Sequence, residues 1–175
     1  MTPKERRERL FKPDRPHIRR LEILDGEGYS SDMGWLWAAY QAGSFKLPKE
    51  LSQEDFVKEI EKCFSQYSQV WIVDDRNSNF KSGKGPIGLV LTMIIGLIIE
   101  PRFNFFKWAS SRNKLRSTAA FLNMVKHSTK TGICLVRTDN ENRNLPDHLK
   151  PYDLLYYLGR SGDNEYLYSM RGRAS

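Results

Sequence analysis

Residues 98–122, IIEPRFNFFKWASSRNKLRSTAAFL, limit what this chain can fold into more than any other segment. They read as a strand, a short polar loop and the opening of an amphipathic helix. A strand that runs straight into a helix N-terminus presents backbone N–H groups that no helical carbonyl accepts, a geometry suited to phosphate or pyrophosphate. The loop Ala109-Ser110-Ser111-Arg112-Asn113-Lys114 has the polarity and positive charge for that role. It lacks glycine, the residue that lets a backbone close around phosphates, and none occurs between Gly96 and Gly132.

The segments on either side change period. Val70, Trp71, Ile72 and Val73 mark a strand over residues 69–75, followed by a polar turn to residue 85. Residues 87–99 read as one long apolar strand with a bulge at Gly96. Residues 102–108 read as another, with Phe103 and Phe105 alternating against Asn104, and with Pro101 at its start, where a strand tolerates proline. The three predict an antiparallel meander. Upstream lie a short strand within residues 18–24 and a helix capped by Asp32 that ends near Gly43. Trp35 and Trp37 do not share a face of that helix, so it is buried on more than one side. Ser52 and Asp55 form a capping box that starts a second helix over residues 53–65, with Phe56, Ile60, Cys63 and Phe64 at helical spacing. Downstream, Leu115, Ala119, Leu122 and Val125 set a helix over residues 112–126. An apolar strand begins at Gly132, a last helix spans residues 146–158 with Leu149, Tyr152, Leu155 and Tyr156, and a strand over residues 166–170 closes the sheet.

A chain of 175 residues with 39% hydrophobic and 12% aromatic content supports one domain with a real core. The formal charge of +7 and pI near 9.4 suit nucleic acid, acidic lipid or an anionic cofactor as partners. Much of that charge lies in residues 1–20, where Arg6, Arg7, Arg9, Lys12, Arg15, Arg19 and Arg20 stand among Pro3, Pro13 and Pro16. This reads as a basic arm ahead of a domain over residues 21–175. It is either a solvated segment or one that touches DNA non-specifically or a neighbouring subunit. Cys63 and Cys134 have neither CxxC nor histidine spacing, which argues against a metal site and a disulfide framework. No spaced carboxylate cluster suits a two-metal nuclease, and no helix-turn-helix, zinc finger or RNP motif is present. The charged N-terminus has no apolar run behind it, so no secretion is expected. The apolar run over residues 86–99 is too short for a membrane-spanning helix.

The order of elements (strand, two helices, three antiparallel strands, helix, strand, helix, strand) resembles the GNAT superfamily of acetyl-CoA-dependent N-acetyltransferases over about residues 18–172. It implies an α/β fold with a mixed, mostly antiparallel twisted sheet flanked by helices. In that family the loop after the fourth strand carries a Q/R-x-x-G-x-G/A pattern whose N–H groups hold the pyrophosphate of coenzyme A. With Arg112 at the first position, Leu115 and Ser117 stand where the glycines belong. The resemblance makes Ser110, Ser111, Arg112, Asn113 and Lys114 a degenerate coenzyme loop; the plain reading of Ser110 or Ser111 is an N-cap. Many family members use a tyrosine of the last helix as acid, which points to Tyr152, Tyr156 or Tyr157, with Glu100 as base. The plain readings are core tyrosines with edge hydroxyls and an exposed turn carboxylate. His127 and His148 read as ordinary helix histidines.

Residues 100–113 are also similar to a pattern in GNAT-like proteins of tailed bacteriophages, where a strand with alternating aromatics ends in Trp-Ala-Ser/Thr-x-Arg-Asn. That resemblance implies a non-catalytic, or weakly catalytic, virion or head-associated component of virion and host cytoplasm. No cofactor is then expected, and the basic arm would meet DNA or other virion proteins. The alternative is an active acetyl-CoA-dependent N-acetyltransferase with a divergent loop, in which Glu100 and Tyr152 or Tyr156 move the protons. A third reading is an adaptor that keeps the cleft as a protein-binding groove. Acceptor, partner and oligomeric state stay open.

Overall fold

The computed structural model describes residues 17–21, 31–75, 85–96, 98–128, 133–138, 156–162 and 165–171. Along the chain run β1 (His17–Arg20), α1 (Ser31–Gln41), α2 (Gln53–Phe64), β2 (Gln69–Asp75), β3 (Gly85–Ile95), β4 (Ile98–Phe105), α3 (Ser111–Ser128), β5 (Ile133–Thr138), β6 (Tyr156–Gly162) and β7 (Glu165–Arg171). The strands form one sheet in the order β1-β2-β3-β4-β5-β7-β6. Every neighbouring pair is antiparallel except β4 and β5.

Two cores form because β2, β3 and β4 send alternate side chains to opposite faces. Ile72, Leu89, Leu91 and Phe106 meet Met33, Leu36 and Ala39 of α1 and Phe56, Ile60 and Phe64 of α2. On the other face Val73, Val90, Phe103 and Phe105 meet Ala119, Phe121, Leu122 and Val125 of α3. Ile87 breaks the alternation. Val73 pairs with Gly88 and Asp74 with Pro86, so Ile87 is the extra residue of a bulge and joins the α3 core. Gly88 lies so close to β4 that a Cβ would sit 2.9 Å from the Asn104 carbonyl oxygen and 3.0 Å from the Phe105 Cα.

Two of the three expected helix-end signals, the Ser52 cap and the Gly43 stop, behave as capping chemistry predicts. The Asp55 N–H donates to Ser52 Oγ at 3.1 Å. Gly43, at φ 78°, ends α1 in a Schellman arrangement: its N–H reaches the Tyr40 carbonyl and the Ser44 N–H the Ala39 carbonyl, both at 2.9 Å. α1 is buried on two sides. Trp35 packs toward Trp108, with centroids 6.3 Å apart, and Trp37 packs on Phe56 at 5.2 Å.

Five expectations are corrected. The strand over residues 87–99 is two strands joined at Gly96, whose φ of 59° serves a tight hairpin and not a bulge. Pro101 lies inside β4, and β4 ends at Phe105, short of residue 108. Asp32 sits in the first turn of α1 rather than at its cap; its carboxylate takes both Arg19 guanidinium nitrogens, at 2.6 and 2.7 Å. Arg19 and Arg20 belong to β1 and pair with Ile72 and Trp71, so the sheet begins inside the segment expected to be an arm. Tyr156, Tyr157 and Leu158 open β6 instead of ending a helix. The expected helical residues before Tyr156, Tyr152 included, lie outside the described residues.

Candidate active site

The site grows out of a break in hydrogen bonding. β4 and β5 pair only at Ile98↔Ile133 and Ile99↔Cys134, although β4 continues to Phe105 and β5 to Thr138. Which backbone groups the break exposes follows from register. The Thr92 carbonyl accepts from the Ser68 N–H on the β2 side at 2.9 Å, and the Ile87 carbonyl accepts from the Phe106 N–H on the β4 side at 2.8 Å. The odd-numbered residues of β3 therefore bond β4, through Glu100, Arg102 and Asn104. Pro101, Phe103 and Phe105 turn their backbone groups the other way, toward β5. Proline has no N–H to give, and the ladder to β5 stops just before it. Beyond that point no pairing joins β4 to β5 among the described residues, and the gap between the two edges is the candidate cleft, to which Phe103 and Phe105 turn main-chain donors and acceptors.

At one end of the cleft stands the N-terminus of α3. Ser110 is its N-cap: Oγ accepts the Asn113 N–H at 3.1 Å, and its carbonyl accepts the Lys114 N–H at 2.9 Å. The N–H groups of Ser111 and Arg112 have no helical acceptor, as in any first turn. The turn between β4 and α3 is pinned. Trp108 donates Nε1–H to the Pro86 carbonyl at 3.0 Å and packs on Phe106 at 5.1 Å, while the Lys107 N–H reaches Ser44 Oγ at 2.9 Å. Lys107, Arg112 and Lys114 are exposed around this end, and the helix macrodipole adds partial positive charge there. Asn113 is buried, and the Ser117 hydroxyl folds back onto its carbonyl at 2.7 Å.

Of the residues singled out in the sequence, Ser110, Ser111, Arg112, Asn113 and Lys114 do gather at the α3 N-terminus, with all but Ser110 inside the helix. The expected alignment that set Leu115 and Ser117 at the glycine positions places both inside α3, past the open N–H groups. Glu100 is half-buried on β4 beside the start of the cleft. Tyr156 starts β6, and β7 separates it from β5. Its backbone is two strand spacings away, about 10 Å, and does not flank the cleft. Arg19 is engaged with Asp32, and the Arg20 guanidinium lies 5.1 Å from the Trp71 ring centroid. Arg6, Arg7, Arg9, Lys12 and Arg15 lie outside the described residues. Sequence reasoning missed the open β4 edge, although Pro101 was its signal. Among the described residues no group of histidine, cysteine or carboxylate side chains could hold a metal ion, and no helix is long and apolar enough to cross a membrane.

No protein-family model matches the sequence, and neither does any curated protein. Solved structures do match. A ribosomal L7/L12 alpha-N-protein acetyltransferase in complex with coenzyme A superposes with a TM-score of 0.61 at 10% identity, covering 90% of this chain and 94% of its own. The ribosomal-protein-S5-alanine acetyltransferase of Vibrio fischeri gives 0.60 at 12%, covering 93% and 96%. A GNAT-family acetyltransferase of Bacillus anthracis gives 0.58 at 15%, covering 91% and 96%. The fold is the GNAT fold. The expected architecture therefore holds.

Proposed function

We propose that this chain binds acetyl-coenzyme A in the β4–β5 cleft and transfers the acetyl group to an amine. The observation that carries the reading is the open edge of β4: main-chain groups at Phe103 and Phe105 face a cleft that no described strand fills. An extended amide-bearing chain such as pantetheine can take up that hydrogen bonding as an added strand would. The residues fit the rest of the coenzyme in a particular way. No glycine cradle exists, but the Ser111 and Arg112 N–H groups, with Lys107, Arg112 and Lys114, offer charge and donors to a pyrophosphate.

Acetyl-coenzyme A supplies the thioester. Glu100 is the candidate base: it takes a proton from the acceptor amine, directly or through water, as nitrogen bonds to the acetyl carbon. The main-chain N–H groups of Phe103 and Phe105 are the candidate donors to the charge that develops on the carbonyl oxygen. The thiolate leaves and must be protonated; Tyr152 remains the candidate acid, and Tyr156, on the outer strand, is the weaker one.

The glycine-free loop favours a second reading, a GNAT-like virion or head-associated protein of a tailed bacteriophage, non-catalytic and using its basic segment on DNA or another virion protein. Thermal unfolding with and without acetyl-coenzyme A separates the two. A ligand at 100 times its dissociation constant stabilises by about 2.7 kcal/mol, which for a chain this size is roughly 5–11 °C. A clear rise, followed by release of free thiol when amines are added, supports the transferase. No rise at millimolar coenzyme would leave the virion reading.

A further inference from the structure

The face of β4 turned away from α3 carries a polar row that the transferase chemistry above uses only at one position. Glu100, Arg102 and Asn104 pair across the sheet with Met93, Leu91 and Leu89. Leu89 and Leu91 are buried under α1 and α2, so all three polar residues project to that same face. The helices cover β2 and β3 but not β4: Leu89 is fully buried, whereas Arg102 is exposed and Glu100 and Asn104 are half-buried. Among the described residues Arg102 has no ion-pair partner. A guanidinium lies open on the rim of the cleft, two residues from the candidate base.

The approach of the acceptor follows from the same geometry. Phosphates held at the α3 N-terminus lie on the α3 side of the sheet, so the coenzyme occupies that side and threads the cleft. An acceptor amine must reach the thioester from the opposite face, the one that bears Glu100, Arg102 and Asn104. A fixed cation there repels an acceptor that carries only positive charge and attracts one that also carries an anion. Residues two apart on a strand are roughly 7 Å apart, which sets the spacing between amine and anion when the amine sits at Glu100.

We propose that Arg102 selects an acceptor with an anionic group roughly 7 Å from its reactive amine, such as a peptide N-terminus followed by an acidic side chain. The inference rests on the transferase reading for the role of the amine, but the anion contact can be measured alone.

The test uses the full chain, wild type and Arg102→Gln and Arg102→Glu; the side chain is exposed, so the fold tolerates both. Binding of the tripeptide amides Ala-Glu-Ala and Ala-Lys-Ala is measured by calorimetry in the presence of coenzyme A, with phosphoethanolamine against ethanolamine as the phosphate arm. The wild type should bind the acidic peptide at least tenfold tighter than the basic one. Arg102→Gln should erase the preference and Arg102→Glu reverse it. A stronger response in the phosphate arm would assign the anion as phosphate. Acetyl transfer is then read separately with the same peptides. Preferential binding without transfer fails the transferase reading and keeps the anion contact. Transfer to both peptides with equal kcat/KM, or equal binding in all three proteins, overturns the role given to Arg102, as does no binding of any probe.

Discussion

Ser110 offers the cleanest separation of stability from ligand binding at the candidate site. Its Oγ is the acceptor for the Asn113 N–H at 3.1 Å, and Asn113 is only 5% exposed, so little water can replace that bond. Ser110→Ala should therefore cost about 1–2 kcal/mol, toward the upper end of the range for a lost N-cap. At about 2–4 °C per kcal/mol for a chain of this length, the melting midpoint falls by roughly 2–8 °C. Ser110→Asp keeps an acceptor and adds a charge that the helix N-terminus favours, so its stability should stay within about 0.5 kcal/mol of wild type. The same carboxylate would stand where a pyrophosphate approaches, and coenzyme A affinity should drop at least about tenfold, or about 1.4 kcal/mol. Urea denaturation gives the first quantity and calorimetric titration the second. If Ser110→Asp loses as much stability as Ser110→Ala, the cap assignment is wrong. If it binds coenzyme A as wild type does, the phosphate does not sit at this helix.

Three further substitutions test the frame around the site. Gly88→Ala should destabilise by about 1–3 kcal/mol in urea, because its Cβ would meet the Asn104 carbonyl at 2.9 Å and β4 would have to move; an unchanged midpoint would mean that β3 and β4 are further apart. The bidentate Arg19–Asp32 pair is asymmetric, with side-chain exposures of 32% and 3%. Arg19→Met, which takes the bidentate guanidinium from a buried carboxylate, should cost about 3 kcal/mol, and Asp32→Asn less, because Arg19 is the more exposed partner; the reverse order refutes the burial argument. Asn123 is fully buried, and neither side-chain polar atom is bonded to any described residue. Asn123→Leu should raise stability by about 1 kcal/mol or more in thermal unfolding, and a loss would place a bonding partner beside the amide.

What could be read from the residues was local. The capping box at Ser52, the stop at Gly43 and the aromatic alternation of β4 are each decided by a few neighbouring side chains. The β3–β4 hairpin was not legible. Residues 86–92 are all buried, so the run has no polar face to mark a reversal, and a glycine in an apolar run reads equally as a bulge or a turn. Tyr156 went astray because its tyrosine- and leucine-rich surroundings have helical spacing, while strand formation there depends on pairing with β7. The cleft is non-local in the strict sense, being an absence of pairing between strands separated by a whole helix. Arg19 and Asp32, 13 positions apart, meet only after β1 and α1 are both placed.

The glycine-free loop and the open β4 edge pull the functional reading in opposite directions, and their physics says how both can stand. A glycine cradle holds pyrophosphate through many short, fixed main-chain bonds. Here two open N–H groups remain, and the rest of the attraction must come from Lys107, Arg112 and Lys114, all solvent-exposed. Exposed charges act through screened Coulomb forces, with a Debye length of about 10 Å at 0.1 M salt and about 3 Å at 1 M. A pantetheine arm bound as proposed would, by contrast, meet backbone groups inside the cleft and be indifferent to salt. Coenzyme A should therefore bind with an affinity that falls steeply between 0.05 and 0.5 M salt, expected at about tenfold or more from three screened cations. Acetyl-pantetheine should bind weakly and almost equally at both. A coenzyme A affinity that ignores salt would mean that main-chain donors hold the phosphates after all. Equal salt dependence for both ligands would mean that the edge of β4 contributes nothing.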